Sequence, residues 1–321
     1  MKAADDDITF AGRVAIVTGA GNGLGRAHAL ELARRGAAVV VNDLGSAVDG
    51  TGTSSRAAED VVAEITAAGG RAVPSFDSVA TAEGGERIIA TAVEAFGRLD
   101  IVVNNAGILR NANFDEMTWE QLSGVLDTHL LGAFHVSQPA YRAMREQGYG
   151  RFVFTSSGSG LFGARHQANY TAAKAGIAGL SNAVALEGAA HGILSNVVAP
   201  TATTRIVAGM RPGDIADEDL AHVARGAHAP EEVPGPEFAT PMVVFLASEA
   251  CTFTQQIFST SYGRFARVFV GVTRGWYGPL DAPATAEAVR EHLDQINDRS
   301  EYQIPTSVFE EGGQIREWYP I

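Results

Sequence analysis

Cysteine and positive charge are both scarce in this sequence of 321 residues. Cys251 is the only cysteine, which excludes a disulfide within the chain and fits a reducing compartment. The 24 Lys and Arg residues are outnumbered by 37 Asp and Glu residues, so the net charge is -13. Because nucleic-acid binding depends on a basic surface, this balance argues against a nucleic-acid partner.

Long apolar runs are absent as well, and no uninterrupted stretch is long enough to span a bilayer. The first ten residues, MKAADDDITF, are acidic where a signal peptide is basic and then apolar. The last three residues, Tyr319, Pro320 and Ile321, match no retention or peroxisomal signal. We therefore expect a cytoplasmic protein without a membrane span.

Hydrophobic residues make up 46% of the chain, which is enough for one large α/β core with appendages. Short runs rich in β-branched residues alternate with helical patterns through about residue 200. The predicted strands cover residues 14–18, 37–42, 71–76, 100–103 and 194–199, and the predicted helices include 56–68, 82–96 and 119–148. In the last helix, Pro139 should kink the helix or break its hydrogen-bond ladder. This alternation predicts an α/β fold with a doubly wound, Rossmann-like parallel sheet that binds ligands at the carboxyl ends of its strands.

A glycine-rich stretch, TGAGNGLG, joins the first predicted strand to a helical pattern. Glycines allow the backbone to approach a pyrophosphate, and the helix N-terminus favours its charge. The spacing departs from the commoner G-x-G-x-x-G pattern, and a glycine-rich turn without a ligand is the alternative. We assign cofactor contacts here to Gly19, Asn22, Gly23, Leu24 and Gly25.

Polar residues also follow the later strands. Asp43 ends the second strand, where a carboxylate suits ribose hydroxyls and repels a 2′-phosphate, so we predict NAD rather than NADP; a solvated carboxylate is the alternative. Asp77 and Ser78 end the third strand, at the level of an adenine edge. The remaining predicted cofactor contacts are Asn105, Ala106 and Gly107 of the NNAG stretch, Tyr170, Lys174, Pro200 and Thr203. No metal ligands are assigned.

Three polar side chains suggest acid–base chemistry on an alcohol. Tyr170 and Lys174 lie four residues apart in a helical pattern, which places them on one face. A nearby ammonium favours the phenolate and lowers the tyrosine pKa from about 10. Ser157, one loop earlier, can then hold a substrate oxygen while Tyr170 exchanges its proton. Taken alone, the pair also fits a surface helix with a solvated lysine.

The motifs TGAGNGLG, NNAG, Ser157 and YTAAK together resemble the short-chain dehydrogenase/reductase family over about residues 10–205. This resemblance implies that Tyr170 is the acid/base, that Lys174 lowers its pKa and holds the ribose, and that Ser157 orients the substrate. It also implies a seventh strand near residues 256–260 and a homodimer or homotetramer. The corresponding region of the family, here about residues 205–235, is a lid over the substrate.

One departure from the family pattern is His129, which stands in HLLGAF where an asparagine is common. VVVNDLG, FDSV, NNAGILR, HLLGAF and QANYTAAK resemble the (3R)-hydroxyacyl-CoA dehydrogenase part of peroxisomal multifunctional enzyme type 2, which also has histidine there. We include His129 among the catalytic candidates as a supporting residue. Arg165, Arg205 and Arg211 are candidates for CoA phosphates, although solvated surface arginines are the more ordinary interpretation.

The domain prediction is a dehydrogenase domain over residues 8–279, with a C-terminal extension over 280–321. The preferred function is an NAD-dependent dehydrogenase that interconverts 3-hydroxyacyl-CoA and 3-oxoacyl-CoA. The alternatives are a dehydrogenase of a steroid or another bulky secondary alcohol, and a catalytically silent dinucleotide-binding scaffold.

Overall fold

The computed structural model describes residues 7–201, 235–261 and 263–318. Thr203, Arg205, Arg211 and nearly all of the predicted lid lie outside these ranges. The chain divides into two compact units, Met1–Arg267 and Val268–Ile321. The boundary at 279/280 that the sequence suggested stays a prediction.

The first unit contains an eight-stranded sheet in the order β3-β2-β1-β4-β5-β6-β7-β8. The registered neighbours from β3 through β7 all run parallel, for example Val14 opposite Ala38 and Ala15 opposite Ile101. The strands are β1 (Val14–Thr18), β2 (Ala38–Asn42), β3 (Arg71–Ser75), β4 (Ile101–Asn104), β5 (Gly150–Thr155), β6 (Ile193–Thr201), β7 (Ile257–Ser261) and β8 (Arg264–Val268). The chain winds outward from β1 to β3 and then continues on the other side from β4, which confirms the doubly wound α/β prediction.

Helices flank this sheet, and the central strands β1, β2, β4 and β5 are buried along their whole length. Strands covered on both faces have continuous apolar sequences, and the predicted bounds of these strands are therefore close to the observed ones. The helices of the first unit are α1 (Gly23–Arg34), α2 (Arg56–Ala67), α3 (Ala82–Phe96), α4 (Trp119–Leu126), α5 (Gly132–Gln147), α6 (Gly158–Phe162), α7 (Ala168–Gly188) and α8 (Thr240–Ala247).

The helix predicted over 119–148 has an interruption, but it is not at Pro139. A π-helical turn, Asp127–Leu131, separates α4 from α5, and α5 runs on through Pro139. Pro139 has no N–H to donate to the carbonyl of His135 four residues earlier. Gly85 of α3 lies against that carbonyl, since a Cβ at Gly85 would be 2.3 Å from His135 O. The tight packing of α3 on α5 covers the point where the hydrogen bond is missing.

Polar groups join the amino ends of β1 and β4, on the edge opposite the strand carboxyl ends. The fully buried carboxylate of Asp100 accepts hydrogen bonds from Val14 N at 2.9 Å and from Arg13 Nη1 at 2.8 Å. Arg98 adds two more bonds, at 2.6 and 2.8 Å. A buried charge with this many partners is compensated, so the cluster holds the strand starts in register.

The second unit consists of short elements. Strands β9 (Val272–Thr273) and β10 (Tyr302–Gln303) pair antiparallel, with helices α9 (Ala286–Glu291), α10 (Leu293–Ile296) and α11 (Val308–Trp318) around them. The rings of Trp276 and His292 stack with centroids 4.1 Å apart. Across the ranges that the structure describes in both units, no helix has the length and apolar character needed to cross a membrane.

Candidate active site

A cleft of about 700 Å³ lies where the carboxyl ends of the central strands meet. The glycine-rich loop lines one part of it, and Ser157, Tyr170 and Lys174 line another. The predicted site residues that line it are Gly19, Asn22, Gly23, Leu24, Asp43, Asp77, Ser78, Asn105, Ala106, Gly107, His129, Ser157, Tyr170, Lys174 and Pro200. Fold topology thus brings together residues separated by as many as 181 positions in the sequence, from Gly19 to Pro200. Their individual functions remain predictions.

The glycine loop presents the start of α1 to the cleft. Asn22 precedes the helix in an extended conformation, and its side chain makes no capping hydrogen bond. The first-turn N–H groups therefore remain available for an anion. Gly25 lies behind the loop, because a Cβ there would be 2.2 Å from Gly19 O. Glycine is required at this position because the backbone of the loop packs directly against it, and not because a ligand in the cleft needs the space.

Thr18, which sequence reasoning did not single out, joins the glycine loop to the NNAG stretch. Its Oγ1 accepts hydrogen bonds from Asn105 N at 3.0 Å and Ala106 N at 3.1 Å. The Asn105 side chain donates in return to Thr18 O at 3.0 Å. The signal in the sequence that could have identified Thr18 is its hydroxyl at the end of a buried strand. These bonds hold two backbone segments that line the cleft against each other.

Asp43 is buried, so it is not the solvated carboxylate of the alternative interpretation. Its Oδ2 accepts from Gly21 N and its Oδ1 from Gly45 N, both at 2.7 Å. The carboxylate thereby ties the glycine loop to the segment after β2. Each oxygen keeps a second lone pair, so contact with ribose hydroxyls remains chemically available.

The segment after β2 joins the loop after β4 over the cleft. Val48 O accepts from Leu109 N at 2.9 Å, and Asp49 O accepts from Arg110 Nε at 2.8 Å. Arg110 Nη1 also donates to Glu120 O at 3.0 Å. Among the described residues that line the cleft, the basic side chains are those of Arg110 and Lys174. The Arg110 guanidinium is thus already bonded to two backbone carbonyls.

Tyr170 and Lys174 lie on the first turns of α7, with Lys174 Nζ 5.5 Å from the Tyr170 ring centroid. Burial raises the pKa of Tyr170, and a hydrogen bond with Ser157 opposes that rise. Burial lowers the pKa of Lys174 from 10.5 to about 7, while its Nζ donates to Thr155 O at 2.7 Å. Ser157 follows β5 and begins α6, where its Oγ accepts from Ser159 N at 3.2 Å.

His129 lies in the π-helical turn and packs edge-on against Tyr170, with ring centroids 5.1 Å apart. Its Nε2 is 2.8 Å from Ile108 O and 3.0 Å from Ile108 N, so the tautomer decides which group it bonds. Burial, together with the charge of Lys174, holds the pKa of His129 well below 6.5. The imidazole is therefore neutral. A Cβ at Gly107 would lie 2.1 Å from its Cε1, so this ring requires a glycine there.

The residues present fit a nicotinamide dinucleotide. The uncapped helix start suits a pyrophosphate, and the buried Asp43 suits a ribose. Thr155 lines the cleft, and its Oγ1 is buried without a hydrogen-bond partner among the described residues. A buried polar atom of this kind calls for a partner supplied by a ligand or by water. Bound here, the dinucleotide supplies a hydride acceptor for oxidation or a hydride donor for reduction.

Known proteins share this fold and these motifs. The family model described as short chain dehydrogenase matches residues 13–212. Peroxisomal multifunctional enzyme type 2 of Mus musculus is 42% identical over 315 residues, covering 97% of this chain and 40% of that protein. The chain thus spans less than half the length of that relative. A hydroxyacyl-CoA dehydrogenase of Mycobacterium tuberculosis is 40% identical over 254 residues, covering 75% of this chain and 74% of that one.

A solved structure matches over nearly its whole length. The crystal structure of a short chain dehydrogenase from Mycobacterium avium superposes with a TM-score of 0.74 at 37% identity. The match covers 91% of this chain and 98% of that one. The likeness therefore includes residues beyond the segment that the family model matches.

Proposed function

Because the chain belongs to the short-chain dehydrogenase family, we propose that it is an NAD-dependent dehydrogenase that interconverts 3-hydroxyacyl-CoA and 3-oxoacyl-CoA. That it is an oxidoreductase follows from the family and from its dehydrogenase relatives. One observation carries the chemistry. Tyr170, Lys174 and Ser157 line the same cleft as an uncapped helix N-terminus behind a glycine loop.

The proposed proton transfer uses Tyr170 as the base in the oxidation direction. Ser157 donates a hydrogen bond to the substrate oxygen, and the Tyr170 phenolate takes the hydroxyl proton. The hydride on the carbon that bears this hydroxyl would pass to the bound dinucleotide. Burial alone disfavours the phenolate, so the ammonium of Lys174 and the hydrogen bond with Ser157 have to offset it. Negative charge brought into the cleft by a ligand raises the pKa of Lys174 again and keeps it cationic.

The proposed preference for NAD rests on Asp43. Its buried carboxylate lines the cleft beside the glycine loop, and two hydrogen bonds from backbone N–H groups hold it in place. A 2′-phosphate next to this charge would be repelled. Arg110, the arginine among the described lining residues, already bonds two backbone carbonyls. These bonds hold its Nε and Nη1 groups, and they leave its charge unchanged.

The proposed substrate class is supported by the relative from Mycobacterium tuberculosis, whose name specifies hydroxyacyl-CoA. Leu161 and Phe162 of α6 follow Ser157 closely, and the Phe162 ring is largely exposed. An acyl tail would cover this apolar surface, and the burial would stabilise the complex. The (3R) hand is proposed from the family resemblance, and exposed Arg165 stays a candidate contact for CoA phosphates.

The test is a substrate panel assayed with NAD by the absorbance of NADH. It contains both enantiomers of a 3-hydroxyacyl-CoA, the corresponding free acids and a hydroxysteroid. We expect the (3R) thioester to have the highest kcat/KM. A steroid with a higher kcat/KM than every thioester would overturn the acyl-CoA proposal. Turnover of the (3S) thioester alone would support the proposed acyl-CoA substrate class but would overturn the proposed (3R) configuration.

Three other predictions are carried forward as proposals. A homodimer or homotetramer is proposed from the family resemblance, and sedimentation of the full chain tests it. The dehydrogenase domain is proposed to end at residue 279, which limited proteolysis followed by mass spectrometry tests. A cytoplasmic location is proposed from the sequence, although the mouse relative is named as peroxisomal. Fractionation of the source cells distinguishes these locations.

A further inference from the structure

Asn169, the residue immediately before Tyr170, has a side chain with no exposed surface. Its Nδ2 donates to Arg110 O at 2.9 Å and to Gln121 O at 3.0 Å. Its Oδ1 accepts from Tyr170 N at 2.7 Å. Both N–H bonds of the amide and one oxygen lone pair are therefore engaged, which defines the orientation of the amide.

These three bonds join three elements of the cleft. Arg110 lies in the loop after β4 that begins with the NNAG stretch, and Gln121 lies in the first turn of α4. The third bond reaches the backbone of Tyr170 itself. Helix α4 leads directly into the π-helical turn whose His129 ring contacts the Tyr170 ring. Asn169 thus connects the start of α7 to the two segments that face Tyr170.

Other bonds also hold the start of α7, since Ser159 Oγ donates to Gln167 Oε1 at 3.1 Å and Lys174 Nζ donates to Thr155 O at 2.7 Å, but neither bond engages an N–H group of the first turn. Gln167, at the N-cap position, makes no side-chain capping hydrogen bond. An uncapped helix start leaves N–H groups without partners, and Asn169 supplies one to Tyr170 N. Because the Tyr170 Oη must stay within hydrogen-bond reach of the reacting oxygen, a small shift of this first turn alters the reacting geometry.

We propose that Asn169 is a positioning residue for catalysis, which sets the place of the Tyr170 side chain by anchoring the first turn of α7 to Arg110 O and Gln121 O. This function presupposes the acid/base role of Tyr170 in the proposed function. It differs from a purely structural role because removing the anchor should lower kcat even in protein that is fully folded.

Asn196 provides a matched control. It lies in β6, is equally buried, and does not line the cleft. Its Nδ2 donates to Phe253 O at 3.1 Å, and its Oδ1 accepts from Gln256 N at 3.0 Å. Asn196→Ala therefore removes similar buried hydrogen bonds and should lower stability by a similar amount.

The experiment measures kcat as a function of pH for Asn169→Ala, Asn196→Ala and the unchanged protein, with NAD and the fastest alcohol of the panel. At high pH Tyr170 is ionised, so the plateau of kcat reports geometry and not proton occupancy. For Asn169→Ala we expect a plateau lower by about 10- to 100-fold, the loss typical of a displacement near 1 Å. KM for NAD should change less than about 3-fold, and Asn196→Ala should keep its plateau within about 2-fold.

Asn169→Asp separates the anchor from the helix cap. One aspartate oxygen still accepts from Tyr170 N and suits a helix N-terminus, but the other takes the place of Nδ2 and faces the carbonyl oxygens of Arg110 and Gln121. We expect its plateau to be as low as that of Asn169→Ala. A full plateau reached only at higher pH would mean that added charge alone raises the pKa of Tyr170, and would overturn the anchor. An equal decrease of the kcat plateau in Asn169→Ala and Asn196→Ala would also overturn the positioning role of Asn169.

Two further measurements keep the outcome decisive. If Asn169→Ala does not accumulate as folded protein, the plateau is measured for Asn169→Ser, whose hydroxyl retains part of the bonding. Tyr170→Phe is assayed alongside. If Tyr170→Phe stays active, the proposed acid/base chemistry fails. If Tyr170→Phe is inactive while the Asn169 variants keep a full plateau, only the positioning role of Asn169 fails.

Discussion

Replacing Lys174 by methionine should stabilise the ligand-free protein while abolishing turnover. Lys174 is buried, and burial lowers its pKa from 10.5 to about 7. At about 1.4 kcal/mol per pH unit, this corresponds to about 5 kcal/mol for keeping the ammonium inside the fold. Methionine has a similar shape and no charge, but it loses the bond to Thr155 O, which contributes about 1 kcal/mol. The net gain at pH 6 is therefore about 4 kcal/mol.

The stability that Lys174→Met gains over the unchanged protein should decrease as the pH rises above 7. Below pH 7 both the folded and the unfolded chain carry the ammonium, so the unchanged protein bears the whole cost of burying it. Between pH 7 and 10.5 the unfolded state binds a proton that the folded state lacks, so the stability of the unchanged protein rises with pH. At pH 9 the advantage of Lys174→Met should have fallen to about 1 kcal/mol, since the slope is about 1.4 kcal/mol per pH unit.

Urea denaturation without cofactor at pH 6, 7.5 and 9 measures both quantities. A direct check comes from the sequence, which contains only two lysines, Lys2 and Lys174. Labelling with lysine carrying ¹³C at Cε gives two NMR signals, and the titration of each reports its pKa. A Lys174 signal that titrates near 10.5 would refute the reasoning. So would a Lys174→Met variant that is less stable than the unchanged protein at pH 6.

Three further variants test the site. Tyr170→Phe should reduce kcat by at least about 10²-fold while NAD still binds in calorimetry, and retention of more than half the activity would exclude Tyr170 as the acid/base. Asp43→Ala should narrow the ratio of kcat/KM between NAD and NADP, whereas an unchanged protein that prefers NADP would show that Asp43 does not select the cofactor. His129→Asn should keep substantial activity because the neutral imidazole only supports Tyr170, and a loss as deep as that of Tyr170→Phe would contradict this.

Much of the sheet was predictable because its central strands are buried on both faces. Val14–Thr18 and Ala82–Phe96 have the predicted bounds, and strand β7, implied by the family resemblance, begins one residue later than expected. Buried parallel strands carry continuous apolar runs, and an amphipathic helix repeats every 3.6 residues. Once the strands are located, the rule that ligands bind at their carboxyl ends places the polar residues together.

The missed features depend on contacts that periodicity does not encode. The π-helical turn at Asp127–Leu131 fits the same apolar spacing as an uninterrupted helix. Asn169 makes bonds to residues 59 and 48 positions away, and nothing local distinguishes it from a solvated amide. Helix α6 is one short turn with two glycines, a composition with low helix propensity. Its position depends on Ser157 and on its packing against α7, not on its own sequence.

The outermost strand β3 has a consequence for how copies of this chain can aggregate. Ser75 O accepts from Asp43 N at 3.0 Å, so the backbone polar groups of Ser75 point inward to the sheet. Those of the preceding residue, Pro74, must then point outward, since successive residues of a strand face opposite sides. Proline has no hydrogen on that nitrogen, so a strand from another molecule would lack a ladder bond at the fourth residue of this five-residue edge. Growth of intermolecular β-structure from this edge is thereby disfavoured, even at the high local concentrations that accompany synthesis.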